Sequence, residues 1–234
     1  RALTRAEADG DVTLDAQGGA ITQDGTDDSD DVVADVLTAD AAGGIDLDTT
    51  VVGVDASITG SATLDNASAV DIAGLTVDGD LDLTVAGDIT QTGEVSVGGG
   101  TTLDAGSNNI TLDNNSNDFS TVTVPEAGAV SLADTDDLSL GAVGGTAVVD
   151  SLAVDVGNTL SLTGDVTTAD TQNYSGTVKP DDGLTLNSTN DDTVTFNDKL
   201  SPGGDAGVGS LNVDGDFTLA SSGTIYATLD NTGT

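Results

Sequence analysis

The chain's 234 residues carry 41 Asp or Glu against four Lys or Arg, a formal net charge of −37 at pH 7, and contain no Cys, His, Met or Trp. Without Cys there is no disulfide or thiolate; without Cys and His the usual zinc and transition-metal ligands are missing, and neither a Ser-His-Asp nor a Cys-His nucleophile can be built. Arg1, Arg5, Lys179 and Lys199 are too few to displace the phosphate counterions of a duplex, so no nucleic-acid partner is expected. The remaining residues alternate in short bursts: Val12-Thr13-Leu14, Ile45-Asp46-Leu47, Leu81-Asp82-Leu83-Thr84-Val85, Val95-Ser96-Val97, Ile110-Thr111-Leu112, Val122-Thr123-Val124, Leu138-Ser139-Leu140, Leu160-Ser161-Leu162, Leu184-Thr185-Leu186, Val194-Thr195-Phe196, Leu211-Asn212-Val213 and Phe217-Thr218-Leu219. Apolar residues alternating with Thr, Ser or Asp mark half-buried strands, and Gly, Asn and Asp clusters between them supply turns. No stretch keeps a period of 3.6, so almost no helix is expected, and strands of three to six residues should recur every eight to eleven. This patterning outweighs the disorder that high charge and 2% aromatic content would otherwise suggest.

The bursts belong to a longer repeat. Asp9-Gly10-Asp11-Val12-Thr13-Leu14 returns as Asp78-Gly79-Asp80-Leu81-Asp82-Leu83 and again as Asp214-Gly215-Asp216-Phe217-Thr218-Leu219. Leu64, Val70 and Ile72 fall 68 residues before Leu132, Leu138 and Leu140, and Leu37 to Asp48 resembles Leu103 to Asp113. The chain therefore reads as one continuous solenoid segment with repeats at 9–77, 78–145 and 146–213 and a partial copy at 214–234. A parallel β-helix with coils of ~20–25 residues would place about three coils in each unit. About ten coils in all, at ~4.8 Å each, make a rod of roughly 45–50 Å. An array of β-sandwich domains is the alternative, but the unit lacks the larger inward residues and aromatic core such domains use.

The run Gly79-Asp80-Leu81-Asp82-Leu83 through Gly87, Ile89-Thr90-Gln91 and Gly93 is followed by Val95-Ser96-Val97 and Asn109-Ile110-Thr111-Leu112-Asp113-Asn114. Next come Asn117-Asp118-Phe119 and Val130-Ser131-Leu132-Ala133-Asp134. This resembles the tandem repeats of filamentous-haemagglutinin-like exoproteins and of autotransporter and two-partner-secretion adhesins. The resemblance is closest over Asp78 to Val143, weaker over Asp9 to Thr76 and looser after Asp150. It implies an all-β, right-handed parallel β-helix, export to the cell surface or beyond, and work in adhesion or biofilm matrix. Two departures stand out: no secretion-directing N-terminal domain lies in these residues, and the acidity is extreme for the family.

Three Asp clusters are candidate calcium ligands, since hard oxygens at turns suit that ion. They are Asp27, Asp28, Asp30 and Asp31; Asp134, Asp136 and Asp137; and Asp181 and Asp182 with Asp191 and Asp192. The competing reading is solvated turns screened by diffuse cations. The Asp-Gly-Asp triplets read as turns that start a strand. Five Asn-x-Ser/Thr sequons occur, at Asn66, Asn109, Asn114, Asn173 and Asn187. No catalysis is expected, because paired carboxylates that recur with a repeat do not form a cleft of unlike residues. Ice binding is not expected either, since Thr121-Val122-Thr123 and Thr193-Val194-Thr195 look isolated. There is no apolar run of ~18 residues for a membrane span, and Arg1 to Gly10 lacks a signal-peptide core. A processed chain or a piece of a longer one is expected, since the first residue is not Met. The composite expectation is an adhesive or structural segment of an exported fibre that stacks on like subunits or continues into the same chain at both ends, and touches a host or neighbouring-cell glycan or protein. The alternative is a calcium-dependent surface or S-layer-type binding module.

Overall fold

A strand that alternates apolar and polar residues has one face to bury, and a chain of such strands with tight turns can bury them all by coiling on itself. A computed structural model describes residues 2–3, 5–23, 30–145, 147–190, 192–202, 211–220 and 224–225. Among them there is no helix, and every strand pairing is parallel. The fold is a parallel β-solenoid of about nine turns, close to the about ten expected from coil length and the repeat. Each residue lies over its counterpart one coil later. On side A, Ile45, Ala62, Leu81, Thr101, Val122, Leu140 and Leu162 form one inward column. Side C carries the column Val70, Ile89, Ile110, Val130, Leu152, Gln172 and Val194. Side B, formed in the earlier coils, carries Ala16, Ala41, Ile58, Val77, Val97 and Phe119.

The inward columns merge into one apolar core from Ile21 to Leu200. Each Val, Leu or Ile buried in it contributes up to ~1.5–3 kcal/mol. Nearly all of these residues are Val, Leu, Ile or Ala. In the later coils the core becomes aromatic: Tyr174 stacks on Phe196 at 5.3 Å between ring centroids, and Phe196 meets Phe217 at 5.7 Å. Coil-on-coil spacing leaves no room for side chains where the backbones touch at corners: a Cβ on Gly93 would lie 1.7 Å from the Ala73 carbonyl oxygen.

Two features differ from the sequence expectation. Some strands are far longer than six residues: Ile45–Ile58 has 14 and Ser151–Leu162 has 12. They turn corners without ending, by register shifts between Val54 and Asp55 and between Asp155 and Thr159, the local bends that β-bulges provide. The sequence repeat is also out of phase with the coil. Leu14 lies on side B, in register with Ala39, Ala56 and Leu75, whereas its repeat counterpart Leu83 lies on side A. Ile45 and Leu64 lie on side A, and their counterparts Ile110 and Leu132 lie on side C. In the first two units the motif thus moves on by one side as it repeats, and Phe217, two units after Leu81, lies on side C against Val194.

Candidate functional site

The surface chemistry of this rod is carboxylate chemistry, and it takes two forms. At corners, Asp side chains accept backbone N–H groups that the ladder leaves over. Asp80 Oδ1 accepts from Gly100 N at 2.8 Å, and Asp88 Oδ1 from Asn109 N at 2.8 Å. Asp137 Oδ1 accepts from Thr159 N at 2.9 Å, and Asp165 Oδ1 from Thr185 N at 2.8 Å. Each of these joins one coil to the next; Asp198 Oδ2 reaches the other way, accepting from Gly176 N at 2.9 Å. Charge-assisted bonds of this kind are about twice as strong as neutral ones. They need a carboxylate held close to the main chain, which favours Asp over Glu at these corners.

Buried amides do the same work deeper in. Asn66 accepts from Val51 N at 2.9 Å and donates to the Val51 carbonyl at 3.0 Å. Asn117 accepts from Val95 N and donates to the Leu112 carbonyl. Gln172 donates to the Asn187 carbonyl and accepts from the Tyr174 hydroxyl. Among the described residues, two buried hydroxyls have no partner, Thr101 and Ser201.

In the earlier coils, Asp instead lies in rows on the flat sides. Asp15 stands in register with Asp40, and Asp48 with Asp65. Partial burial, then the charges of Asp65, Asp31, Asp46 and Asp30, holds the Asp48 carboxyl above the ordinary aspartate value. Like charges directly opposite each other in a ladder are destabilising. The salt bridge Arg5–Glu7, at 3.1 Å, is exposed and adds little.

The sequence-predicted calcium ligands separate on this map. Asp27, Asp28 and Asp191 lie outside the described residues. Asp30 accepts from the Thr50 hydroxyl at 2.6 Å, and Asp31 is buried, accepting from Asp48 N at 3.3 Å. Asp134 is also buried: Oδ2 accepts from Phe119 N at 2.7 Å and Oδ1 from Asp136 N at 2.9 Å. Burial raises its carboxyl above the usual value, against those two bonds, which lower it. Asp136 accepts from Asp137 N. Asp181 and Asp182 sit in the turn before the strand Leu184–Ser188 and Asp192 just after it, so ~16 Å of strand divides that cluster. Among the described residues no three carboxylates form a group that could hold a metal ion. Of the sequons, Asn66 is buried, and its amide is engaged in the bonds above, so the folded chain cannot be glycosylated there.

Sequence reasoning did not find Asp48, the corner amides or the inter-coil carboxylate bonds. Their signal is register, which depends on coil length and is invisible to local pattern. The surface hollows are shallow: one of about 520 Å³ runs along side A over Thr63, Asp82, Thr102 and Thr121, and one of about 200 Å³ lies on side C over Ser131, Ala153 and Asn173. Among the described residues no helix is long and apolar enough to cross a membrane.

Residues 59–125, three coils of this stack, match a family model described as repeats of unknown function (DUF5649). No curated protein and no solved structure matches the chain. The class the fold and surface define is an acidic, tandem-repeat β-solenoid.

Proposed function

We propose that the chain is a structural, adhesive segment of an exported bacterial surface or extracellular-matrix fibre, extended end to end by like units or by more of the same chain. The observation that carries this reading is the phase slip between repeat and coil. A repeat out of phase with the coil displays copies of a motif on different sides of the rod as it lengthens. That arrangement suits multivalent contact along a fibre better than a single site facing one ligand. The shallow hollows and the solvated carboxylate surface fit extension and contact, with a host or neighbouring-cell glycan or protein as the partner class.

A calcium-dependent surface or S-layer-type module is the second reading, and the row around Asp48 favours it, because a divalent cation would relieve the repulsion there. Negative-stain images of the purified chain and of native material, with calcium and with chelator, test both. The fibre reading expects rods or filaments that chelator leaves intact. Compact monomers at high concentration, with no rods in the native material, would overturn it. Rods that dissolve in chelator would favour the second reading.

A further inference from the structure

Five Asp-Gly bonds punctuate this chain, at Asp9, Asp24, Asp78, Asp182 and Asp214. A bond of this kind rearranges readily without an enzyme, because glycine has no Cβ to keep the preceding carboxyl away from its nitrogen. The two groups must still be free to meet, and the coil decides where they are. At Asp78 they are locked. Gly79 N donates to the Gly60 carbonyl at 3.1 Å, the Gly79 carbonyl accepts from Gly99 N at 3.0 Å, and a Cβ on Gly79 would lie 2.8 Å from Ser61 N. Asp214 stands in the ladder against Asn187, and a Cβ on Gly215 would lie 2.8 Å from the Asp192 carbonyl oxygen. At Asp9 both flanks are tied, since Ala8 N donates to the Val33 carbonyl at 3.0 Å and the Gly10 carbonyl accepts from Asp35 N at 2.9 Å. Asp24 lies outside the described residues.

The turn between Pro180 and Leu184 is different. Asp181, Asp182 and Gly183 are all exposed. The turn is held at its ends, by Asp181 N on the Leu162 carbonyl at 2.9 Å and by Leu184 in register with Leu211. Between these ties, among the described residues, no backbone carbonyl takes the Gly183 N–H, and a Cβ on Gly183 would meet nothing within 4 Å. Gly183 has φ +80°, in the left-handed region that glycine enters freely. We infer that Asp182 is a site of spontaneous modification, where the chain closes to a succinimide and reopens as isoaspartate. The Gly183 nitrogen bonds to Asp182 Cγ, and its proton leaves with the carboxyl hydroxyl as water. Water then opens the ring. Attack at Cγ restores aspartate; attack at the main-chain carbonyl carbon leaves a free α-carboxylate and a chain that runs through Cγ. The charge is lost in the ring and regained on opening, while the turn gains one backbone atom. No oxidant or cofactor enters. Exposed loop tips are where such changes are tolerated, and the open space around Gly183 takes up the added atom ahead of the strand Leu184–Ser188. The inference rests on the turn alone and holds whether or not the chain belongs to a fibre.

The test keeps the purified chain at neutral pH for weeks, folded and in urea, and then reads isoaspartate at each site by peptide mapping with mass spectrometry and by labelling with an isoaspartate-specific carboxyl methyltransferase. In the folded chain, isoaspartate at Asp182 should exceed that at Asp78 and Asp214 by about tenfold or more, since those two react only in locally opened molecules. In urea the three sites should converge. Asp182→Glu, whose carboxyl would have to close a larger ring, should remove the signal at that position, with circular dichroism confirming that the variant folds. A folded chain without isoaspartate at Asp182, when the unfolded chain forms it, overturns the inference, as does accumulation at Asp78 as fast as at Asp182. An Asp182 excess that persists unchanged in urea would assign the effect to local sequence and overturn the role given to the coil.

Discussion

Around Asp48 the carboxylates stand in register, Asp48 over Asp65 with Asp31 and Asp46 close by, and burial and mutual charge raise the Asp48 carboxyl. From Asp80 onward the same residue type sits mainly at corners, where Asp134, Asp137 and Asp165 accept N–H groups from neighbouring coils. The difference is one of position relative to the turn. On a flat side an Asp has only another side chain across from it, one coil away. At a corner it faces main-chain donors that the ladder does not use. A composition that looks uniformly repulsive thus divides into carboxylates that strain the fold and carboxylates that hold it.

The largest effect should come from breaking a corner. Asp134→Ala strands the Phe119 and Asp136 N–H groups beside the core, which should cost about 2–4 kcal/mol in urea unfolding. Asp134→Asn keeps an acceptor oxygen and should cost less. At the boundary between the two regions, Thr101 buries a hydroxyl without a partner in the column of Leu81 and Val122. Thr101→Val should therefore stabilise by about 1 kcal/mol; a loss would mean that the hydroxyl has a bonding role. Smaller again is Asp48→Asn, which should raise stability by ~0.2–1 kcal/mol at low salt and by less at ~1 M NaCl, where the neighbouring charges are screened and partial burial remains.

The pH effect sharpens the comparison further. Asp48 titrates in the fold above its unfolded value of 3.8. Its stabilising contribution is complete below that value and is lost as pH rises through the folded pKa. Acidifying from neutrality toward the ordinary aspartate value of 3.8 should raise the wild-type melting temperature, and Asp48→Asn should show a smaller rise. Asp134 is displaced in the same direction, so Asp134→Asn should also flatten the profile, but from a lower starting stability.

Much of the fold was legible in the sequence because alternation is local: Leu81, Leu83 and Val85 announce a buried face whatever lies above them. The parallel coil followed from strand spacing and the longer repeat. The side on which each residue falls was not legible, since a coil one or two residues longer moves everything after it around the axis. The 68-residue unit seemed to hold about three whole coils, and only the register of Leu14 against Ala39 and of Leu83 against Leu64 shows the extra side. The Asp clusters were visible, but their partners were not. Asp134, Asp136 and Asp137 look like a ligand set in the sequence, and the first of them proves to be a buried acceptor for two backbone donors. Asp48, isolated in the sequence, is crowded only because Asp65 and Asp31 lie one coil away on either side.

The division of the carboxylates into two kinds is tested most directly by urea unfolding of wild type, Asp48→Asn and Asp134→Asn, each at ~0.05 M and ~1 M NaCl. Asp48→Asn should exceed wild type at low salt and by a smaller margin at high salt, while Asp134→Asn should fall below wild type by a similar amount at both. Contradiction would come from both variants shifting the same way with the same salt dependence, for then every Asp of this rod would be acting only as surface charge.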